Sequence, residues 1–414
     1  MKILFVSPYT PNLIRVRPYN LIRALSARGH DVTVLTLTTG ESEEKDARTL
    51  LDNCRQVHTR TLHRWRSLFN SLRALPTSVP LQAVYCWQPA LWDKMQALVE
   101  DEQFDVIHVE HLRGARYGLQ LAQLPSGERP PIVWDSVDCI SSLFSQAAKE
   151  SKSFFGRWIT RLELGRTEQY EGWLLGQFDR VLVTSPADRQ ALLSLSPNGA
   201  RAPDVLVLPN GVDLSYFQPG DEGQRDPHTL VLSGKMSYHA NITMALHLVN
   251  DIMPLVWARQ PETKLTIVGK DPPREILSLA ENPAITVTGT VPDMRVYLQR
   301  AAIAVAPLTY GAGIQNKILE AMACGTPVIT TSQATSALSA VPGRDLLVAN
   351  GAWPFAEAIV RLLQQPQQRA ALGAAGLSYV RRRHDWAAVA GRLESIYETV
   401  RHSSAPPARI RQAA

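Results

Sequence analysis

The sequence lacks most features that mark specialised classes of protein. It has four cysteines, none of them in a CxxC or CxxH arrangement, so neither a zinc site nor a disulfide framework is expected. No stretch approaches the ~18 consecutive apolar residues of a membrane-spanning helix. The first residues also lack the apolar core and cleavage site of a signal peptide. These absences predict a cytoplasmic protein that needs no metal cofactor.

Charge alone identifies no partner. The net charge of the 414 residues is +5 and the pI is about 9.0, which suits anionic small ligands or an anionic lipid surface. No basic block with interleaved aromatic residues and no zinc spacing marks a nucleic-acid-binding module, so nucleic acid is not an expected partner. Hydrophobic residues make up 45% and charged residues 20% of the chain, which is typical of globular domains.

The chain alternates short apolar runs with helical patterns in two blocks. Such runs are typical of strands buried on both faces of a parallel sheet. In the first block the predicted strands are 3–7, 31–36, 105–109, 132–135, 180–184 and 205–208, and the main predicted helices are 19–28, 89–100 and 141–175. In the second block the predicted strands are 230–233, 264–268, 284–288, 303–307 and 328–331, and the predicted helices are 241–259, 274–280, 293–300 and 315–324.

Two blocks of βα units predict an α/β fold with two Rossmann-like, doubly wound domains, which bind ligands at the carboxyl ends of their strands. The predicted domains are 1–208 and 229–385, joined by a turn-rich connection at 209–228. A last helix is predicted at 386–401 and a disordered tail at 402–414. A dehydrogenase would share this alternation. Its glycine-rich loop should follow the first strand, and residues 7–17 contain no glycine, so NAD binding there is not expected.

The segment 305–329 has the most informative pattern. A buried strand ends near Pro307, and Gly311 and Gly313 let the backbone approach a ligand closely. The helix that follows offers free amides and a positive dipole end to a phosphate. On a helical wheel, Asn316 and Glu320 lie opposite the core stripe. Glu320 is therefore either a ribose-binding carboxylate beside a phosphate loop or an ordinary solvated helix residue.

Several segments resemble one enzyme family. The run from Ile318 to Ile329 resembles the donor-site helix of retaining GT-B glycosyltransferases of family 4. Asn210-Gly-Val-Asp resembles the hinge of that family, and Gly29-His-Asp-Val resembles its entry to the second strand. The segments 233–241 and 312–320 resemble the subgroup associated with exopolysaccharide and exosortase (PEP-CTERM) gene clusters. The resemblance covers nearly the whole chain. It implies two domains that face each other across a cleft, with the last helix crossing back to the first domain.

The resemblance also implies roles on the donor side. Glu320 matches the second glutamate of the family's Glu-x7-Glu motif, which holds the nucleotide ribose. Ala312 stands at the first glutamate, so the main-chain amides of Gly313 and Ile314 are left to face the sugar and the diphosphate. Where the family has Gly-Arg followed by a lysine, this chain has Gly234-Lys235. Lys317 is the candidate for the second cation that stabilises the leaving diphosphate.

Candidates on the acceptor side come from the first domain. Arg15 and Arg17 replace the family's glycine loop, and each is either a phosphate ligand or part of a helix-entry surface. His108 and His111 lack the glutamate and third ligand of a zinc site, so we expect them to line the cleft or cap a strand. Asp138 follows another strand and is a candidate acceptor contact.

The segment 64–75 predicts an amphipathic helix that mixes Trp, Leu and Phe with three arginines. It is either an interfacial membrane helix with a basic flank or an ordinary domain helix. The resemblance implies retaining, metal-independent transfer from a nucleoside diphosphate sugar to a lipid-linked polysaccharide precursor at the cytoplasmic face of the inner membrane. Two alternatives stay open: a GT-B nucleotide-sugar epimerase, and a sugar-nucleotide-binding subunit without transfer activity, which Ala312 motivates.

Overall fold

The computed structural model describes residues 1–125, 129–150, 154–196, 204–310 and 314–404. The chain divides into two compact units. Unit 1 comprises Met1–Pro209 and the chain from Val389 onward, and unit 2 comprises Asn210–Ala388. The stretch 210–228, which the sequence predicts to be a connection, therefore belongs to unit 2. Its residue Val212 is buried in the apolar core of that unit and bridges to Asp385.

Unit 1 is built on a parallel sheet. Its described strands are β1 (Lys2–Ser7), β2 (Asp31–Thr38), β3 (Gln56–Thr61), β4 (Val106–Glu110), β5 (Ile132–Val137), β6 (Arg180–Val183) and β7 (Val205–Val207). They lie in the order β3-β2-β1-β4-β5-β6-β7. All neighbouring pairs are parallel, so every carboxyl end reaches the same edge of the sheet.

The helices of unit 1 connect these strands. In the described part of the chain they are α1 (Val16–Ala27), α2 (Glu41–Thr49), α3 (Arg64–Ala74), α4 (Leu81–Tyr85), α5 (Pro89–Asp101), α6 (His111–Ala122), α7 (Ile140–Glu150), α8 (Phe154–Leu174) and α9 (Pro186–Ser194). The central strands β1, β4 and β5 are almost wholly buried, which agrees with their continuous apolar runs.

Unit 2 repeats the plan with a second parallel sheet. Its described strands are β8 (Asp226–Ser233), β9 (Lys264–Val268), β10 (Ile285–Val287), β11 (Ala301–Ala306), β12 (Val328–Thr330) and β13 (Leu347–Val348). They lie in the order β10-β9-β8-β11-β12-β13, and all neighbours are parallel. The two doubly wound sheets confirm the predicted α/β fold class.

The helices of unit 2 and the last helix complete the chain. They are α10 (His239–His247), α11 (Met253–Trp257), α12 (Arg274–Leu277), α13 (Arg295–Arg300), α14 (Asn316–Ala323), α15 (Ser332–Thr335), α16 (Ala352–Gln364), α17 (Pro366–Arg383) and α18 (Trp386–Ser404). Helix α18 leaves unit 2 and belongs to unit 1 from Val389. There the Tyr397 hydroxyl lies 2.8 Å from Nδ1 of the buried His108, and Arg28 donates to Glu394 at 2.7 Å.

Several element predictions differ from the structure. Within the helix predicted at 141–175, the described residues are helical over Ile140–Glu150 and Phe154–Leu174, and residues 151–153 lie outside the described residues. The helix predicted at 241–259 contains a π-helical turn at Leu248–Ile252, after which Met253 begins a new α-helical segment with Pro254 in its first turn. Strand β3 was not predicted, because its sequence is mostly polar and it lies at the sheet edge, half exposed. In the predicted tail, residues 402–404 belong to α18 and residues 405–414 lie outside the described residues.

Candidate active site

The strand order of unit 2 creates a crevice at one point of the sheet. From β8 the chain moves outward through β9 to β10, and from β11 it moves outward in the other direction through β12 to β13. The connections after β8 and β11 therefore diverge, and a crevice opens between the carboxyl ends of these two neighbouring strands. In doubly wound sheets such a switch point is where ligands bind. The donor-binding candidates lie on these two connections.

Two glycines bring the turns after β8 and β9 into close contact. The Gly234 amide donates to the Val268 carbonyl at 3.0 Å, and the Met236 amide donates to the Lys270 carbonyl at 2.9 Å. A Cβ added to Gly269 would lie 1.7 Å from the Gly234 carbonyl oxygen, so only glycine fits there. The turn that carries Lys235 is thereby fixed against its neighbour.

Helix α14 presents the other side of the crevice. Ile318, Leu319 and Met322 are buried in the core, as the helical wheel predicts. Asn316, Lys317 and Glu320 are half-buried. Ile314, just before the helix, packs into the core.

A hydrogen-bonded chain joins the two sides. Lys317 Nζ donates to Asn241 Oδ1 at 2.6 Å, and Asn241 Nδ2 donates to the Lys235 carbonyl at 2.9 Å. Asn241 lies on α10 and is buried, so it holds the α14 lysine against the turn after β8. Both predicted cationic residues therefore belong to one local arrangement. The Lys235 side chain itself is exposed.

Burial moves two pKa values of this arrangement toward neutrality. Burial raises the pKa of the Glu320 carboxyl to about 7, against the opposing effect of the Lys317 charge. Burial also lowers the pKa of Lys317 to about 8, although Glu320 favours its charged form. The site thus holds one carboxylate and one ammonium group out of bulk water, where each interacts strongly with a charged ligand.

Further polar groups surround the arrangement. The Tyr310 hydroxyl lies 2.6 Å from His239 Nδ1 and 3.3 Å from Thr243 Oγ1. Within the described part of the chain, the buried Oδ1 of Asn316 has no hydrogen-bond partner. The predicted loop residues Gly311 and Gly313, together with Ala312, lie outside the described residues. The sequence identified Asn241 only as part of a motif, and no sequence signal pointed to the contact between Tyr310 and His239.

In unit 1, the two candidate arginines lie in different surroundings. Arg17 is 4% exposed, and its guanidinium donates to Asp135 Oδ2 from Nε at 2.9 Å and from Nη2 at 2.7 Å. Inside the unit, the charge of Arg17 is thus paired with Asp135, and its role toward a phosphate stays a prediction. Arg15 is less buried, but it donates to Glu43 at 3.0 Å and lies over the Tyr9 ring.

The predicted histidines and Asp138 lie near the carboxyl ends of β4 and β5. His108 is fully buried, and burial lowers its pKa to about 4. His111 has a positive φ of 65°, and burial, followed by the nearby Arg113 charge, lowers its pKa to about 3. Both rings are therefore neutral at pH 7. Burial raises the pKa of Asp138 to about 6, and its carboxylate accepts from Thr184 Oγ1 at 3.2 Å.

The sequence did not single out Glu110, which follows His108 on β4. It is buried, accepts from Ser7 Oγ at 3.1 Å, and burial raises its pKa to about 8. The sequence of β4 has no alternation of apolar and polar residues that would mark Glu110, because the strand is buried on both faces.

Across the described residues, no three His, Cys, Asp or Glu side chains converge as a set of metal ligands. The four cysteines are unpaired.

Two family models match the chain in succession. A glycosyl transferase 4-like domain matches residues 14–211, and a glycosyl transferases group 1 domain matches residues 227–365. The second match contains the whole arrangement around Lys235, Lys317 and Glu320. The chain belongs to the GT-B glycosyltransferases.

Two solved structures illustrate how far the fold of this chain is shared. Sucrose-phosphate synthase from Thermosynechococcus elongatus matches 97% of this chain and 99% of its own, with a TM-score of 0.70 and 20% identity. Alr3699/HepE from Anabaena, in complex with UDP and glucose, matches 96% of this chain and 100% of its own, with a TM-score of 0.68 and 16% identity.

Curated relatives match shorter regions of this chain. A D-inositol 3-phosphate glycosyltransferase of Frankia alni is 27% identical over 60% of this chain. A phosphatidyl-myo-inositol mannosyltransferase of Mycobacterium tuberculosis is 28% identical over 55% of this chain. The matched regions span 66% and 61% of the length of these two relatives.

The contact between Gly234 and Gly269 yields a test of the site's framework. Gly269→Ala should lower the free energy of unfolding of this glycosyltransferase by about 2–4 kcal/mol, because its Cβ overlaps the Gly234 carbonyl. Chemical denaturation measures this change. Gly343→Ala is the matched control: Gly343 also has a positive φ, of 82°, but a Cβ there meets no atom within 4 Å. Its cost should be only about 1 kcal/mol. Equal losses in both variants would show that the contact does not constrain the turn.

Proposed function

We propose that this glycosyltransferase transfers a sugar from a nucleoside diphosphate sugar, with retention and without a metal, to a lipid-linked polysaccharide precursor. The observation that carries the proposal is the arrangement of Lys235, Asn241, Lys317 and Glu320 at the switch point of unit 2. In it, Lys317 is held through Asn241 against the main-chain carbonyl of Lys235, and Glu320 lies three residues from Lys317 on α14.

Glu320 is the proposed ribose ligand. A carboxylate accepts two hydrogen bonds from the two adjacent hydroxyl groups of a ribose, and such charge-assisted bonds are strong where water is excluded. Glu320 is half-buried on the side of α14 that does not pack into the core. A structural neighbour with UDP and glucose bound supports a nucleotide donor.

Lys235 and Lys317 are proposed to stabilise the leaving diphosphate. When the bond between the anomeric carbon and the diphosphate oxygen breaks, the electron pair remains on that oxygen, and nearby cations lower the energy of this charge. The acceptor hydroxyl forms the new bond on the same face of the sugar, and its proton passes to the departing diphosphate. The two ammonium groups supply the positive charge that a metal supplies in other enzymes.

The lipid-linked acceptor is proposed from relatives and from one surface of unit 1. Curated relatives include phosphatidyl-myo-inositol mannosyltransferases, whose named acceptor is a lipid. Among the described residues, no helix is both long enough and apolar enough to cross a bilayer. Contact with a lipid acceptor then requires a surface that binds the membrane from one side.

Helix α3 has the character of such a surface. Its apolar side chains point outward: Trp65 is 63% exposed, Leu68 62% and Leu72 55%. The buried residues of the helix are the polar Ser67 and Asn70 together with the small Ala74 at its end. An ordinary domain helix has the reverse arrangement, because burial of its apolar stripe stabilises the fold. We therefore propose that α3 lies in the interface of an anionic membrane.

The ribose contact is tested with Glu320→Ala. The variant should keep its fold, since alanine is the strongest helix former, and should bind the nucleoside diphosphate about 1.5–3 kcal/mol more weakly. Calorimetry with the nucleotide and its 2′,3′-dideoxy analogue measures this loss. The wild type should prefer the ribose, and the variant should barely distinguish the two ligands. If the variant keeps the wild-type preference, Glu320 does not bind the ribose.

The affinity for the nucleotide, measured over a range of pH, gives a control for the contact between Glu320 and the ribose. Because the pKa of Glu320 is raised to about 7, acidification from about pH 8 to about pH 6 protonates the carboxyl and removes an acceptor. Wild-type affinity should fall over this range more steeply than that of Glu320→Gln. The phosphate groups of the nucleotide titrate equally in both proteins, so the difference reports Glu320 together with its effect on the charge of Lys317.

Turnover tests the leaving-group role and the reaction together. Lys235→Ala and Lys317→Ala should each lower acceptor-dependent release of the nucleoside diphosphate by roughly 10²-fold. They should weaken binding of the nucleoside monophosphate much less. Lys264→Ala, at the opposite end of β9, is the control and should turn over normally. Unchanged turnover in both site variants would contradict the assignment.

The same incubations separate the alternative reactions. UDP- and GDP-sugars are supplied with and without a lipid-linked glycan. Product that forms only with the glycan supports transfer, whereas interconversion of the donor sugar without acceptor indicates an epimerase. Nucleotide binding with neither reaction indicates a binding subunit.

Membrane binding is tested by sedimentation with vesicles. The protein should pellet with anionic vesicles, and salt should release it, because screening weakens the attraction between exposed charges. Trp65→Ser combined with Leu68→Ser should reduce pelleting, as should neutral substitutions of Arg64, Arg66 and Arg73. Leu277→Ser is the control, since Leu277 is 49% exposed but lies in unit 2. Equal pelleting with neutral and anionic vesicles would count against the proposal.

A further inference from the structure

Unit 1 contains a cavity of about 720 Å³. Its walls come from α3, the segment 77–89, the second half of α6, and the end of α8 with Gln177 beyond it. It is an open cavity directly behind α3, and Phe69 contributes both to its lining and to the exposed apolar side of that helix. None of the residues assigned to the proposed reaction lines it.

Three arginines line the cavity: Arg66 and Arg73 from α3 and Arg116 from α6. Within the described part of the chain, no carboxylate lines the cavity and none forms an ion pair with these arginines. The Nε of Arg66 is buried there without a hydrogen-bond partner. Burial lowers the pKa of Arg116, and the nearby charge of Arg73 contributes to the same direction.

Aromatic rings hold these cations in place. The Arg116 guanidinium lies 4.4 Å from the centre of the Trp87 ring, and Arg66 and Arg73 lie 5.9 and 5.7 Å from the centre of the Phe69 ring. Trp87 is fixed in turn by Asn70, whose Nδ2 donates to the Trp87 carbonyl at 2.7 Å. The guanidinium groups are therefore positioned before any ligand arrives, which lowers the ordering cost of binding.

The cavity combines these charges with apolar walls. Phe69 and Trp173 line the cavity, and the Trp173 side chain is 47% exposed. The Trp173 ring packs at an angle against the Tyr170 ring, and the two ring centres are 5.5 Å apart. A free anion would satisfy the arginines but leave these rings in water. An amphiphile with an anionic head satisfies both, because guanidinium pairs with phosphate and the rings cover acyl chains.

We propose that this cavity binds the phosphate-bearing headgroup of a single anionic phospholipid, whose acyl chains extend along the outward apolar side of α3. The occupant follows from charge complementarity and from the continuity of the cavity with that side of the helix. This site deepens the proposed membrane contact of α3, on which it rests for its source of lipid. It does not depend on the donor reaction.

The test uses a short-chain phosphatidylglycerol below its micelle concentration, so that no vesicle surface is present. A ligand that binds the native state raises the melting temperature. The lipid should raise the melting temperature of the wild type in a saturable manner, and a short-chain phosphatidylcholine should do so far less. Arg116→Gln and Arg73→Gln should each lower the affinity for phosphatidylglycerol at least tenfold.

Arg64→Gln is the matched control. It removes the same charge from α3, but Arg64 does not line the cavity, so lipid affinity should be unchanged. Equal losses in Arg64→Gln and Arg116→Gln would indicate general surface attraction and overturn the proposal. A similar rise with inorganic phosphate or glycerol phosphate would assign the cavity to a free phosphate compound instead.

The vesicle experiment separates this proposal from membrane docking. If Arg116→Gln pellets with anionic vesicles as the wild type does but loses the short-chain lipid, the cavity binds lipid and surface docking is independent of it. If the wild type pellets with vesicles but does not bind the short-chain lipid, α3 docks without a headgroup site. The second outcome overturns the cavity proposal alone.

Discussion

The arrangement of charged groups in unit 2 depends on where the order of its parallel sheet reverses. Strands β8 and β11 are neighbours, but the chain leaves them in opposite directions, so the connections that follow them diverge at their carboxyl ends. Residues 76 positions apart in the chain, Asn241 and Lys317, meet there at 2.6 Å. The close contact between Gly234 and Gly269 fixes one wall, and the buried stripe of α14 fixes the other.

Two kinds of buried charge can be distinguished in this protein. In unit 1, Arg17 donates two hydrogen bonds to Oδ2 of Asp135, so the two buried charges are paired with each other. In unit 2, Lys317 donates to a neutral amide, and Glu320 has a raised pKa in spite of the nearby lysine. Charges that are desolvated but incompletely paired cost stability, and they are retained where a ligand completes them. This contrast favours a binding role for the second group.

The sequence predicts the fold well because parallel strands buried on both faces have continuous apolar runs. The same reasoning fails for β3, whose polar residues lie half exposed at an edge, and for the helix after β8, where a π-helical turn interrupts the pattern. At the site, spacing correctly separated the core stripe of α14 from Asn316 and Glu320. Spacing could not predict that Arg17 is neutralised by Asp135, because that pairing joins residues 118 positions apart.

The spacing of apolar residues in α3 does not decide which way the apolar side of the helix faces. An apolar stripe has the same spacing whether it faces a core or a membrane, so the sequence predicts the helix but not its orientation. The orientation is decided by Ser67 and Asn70, which are small or hydrogen-bonded and can be buried, while Trp65, Leu68 and Leu72 remain outside. Exposed apolar area costs about 25 cal/mol per Å² in water. A continuous outward stripe beside three arginines therefore favours an apolar partner with an anionic surface, and a phospholipid membrane has both properties.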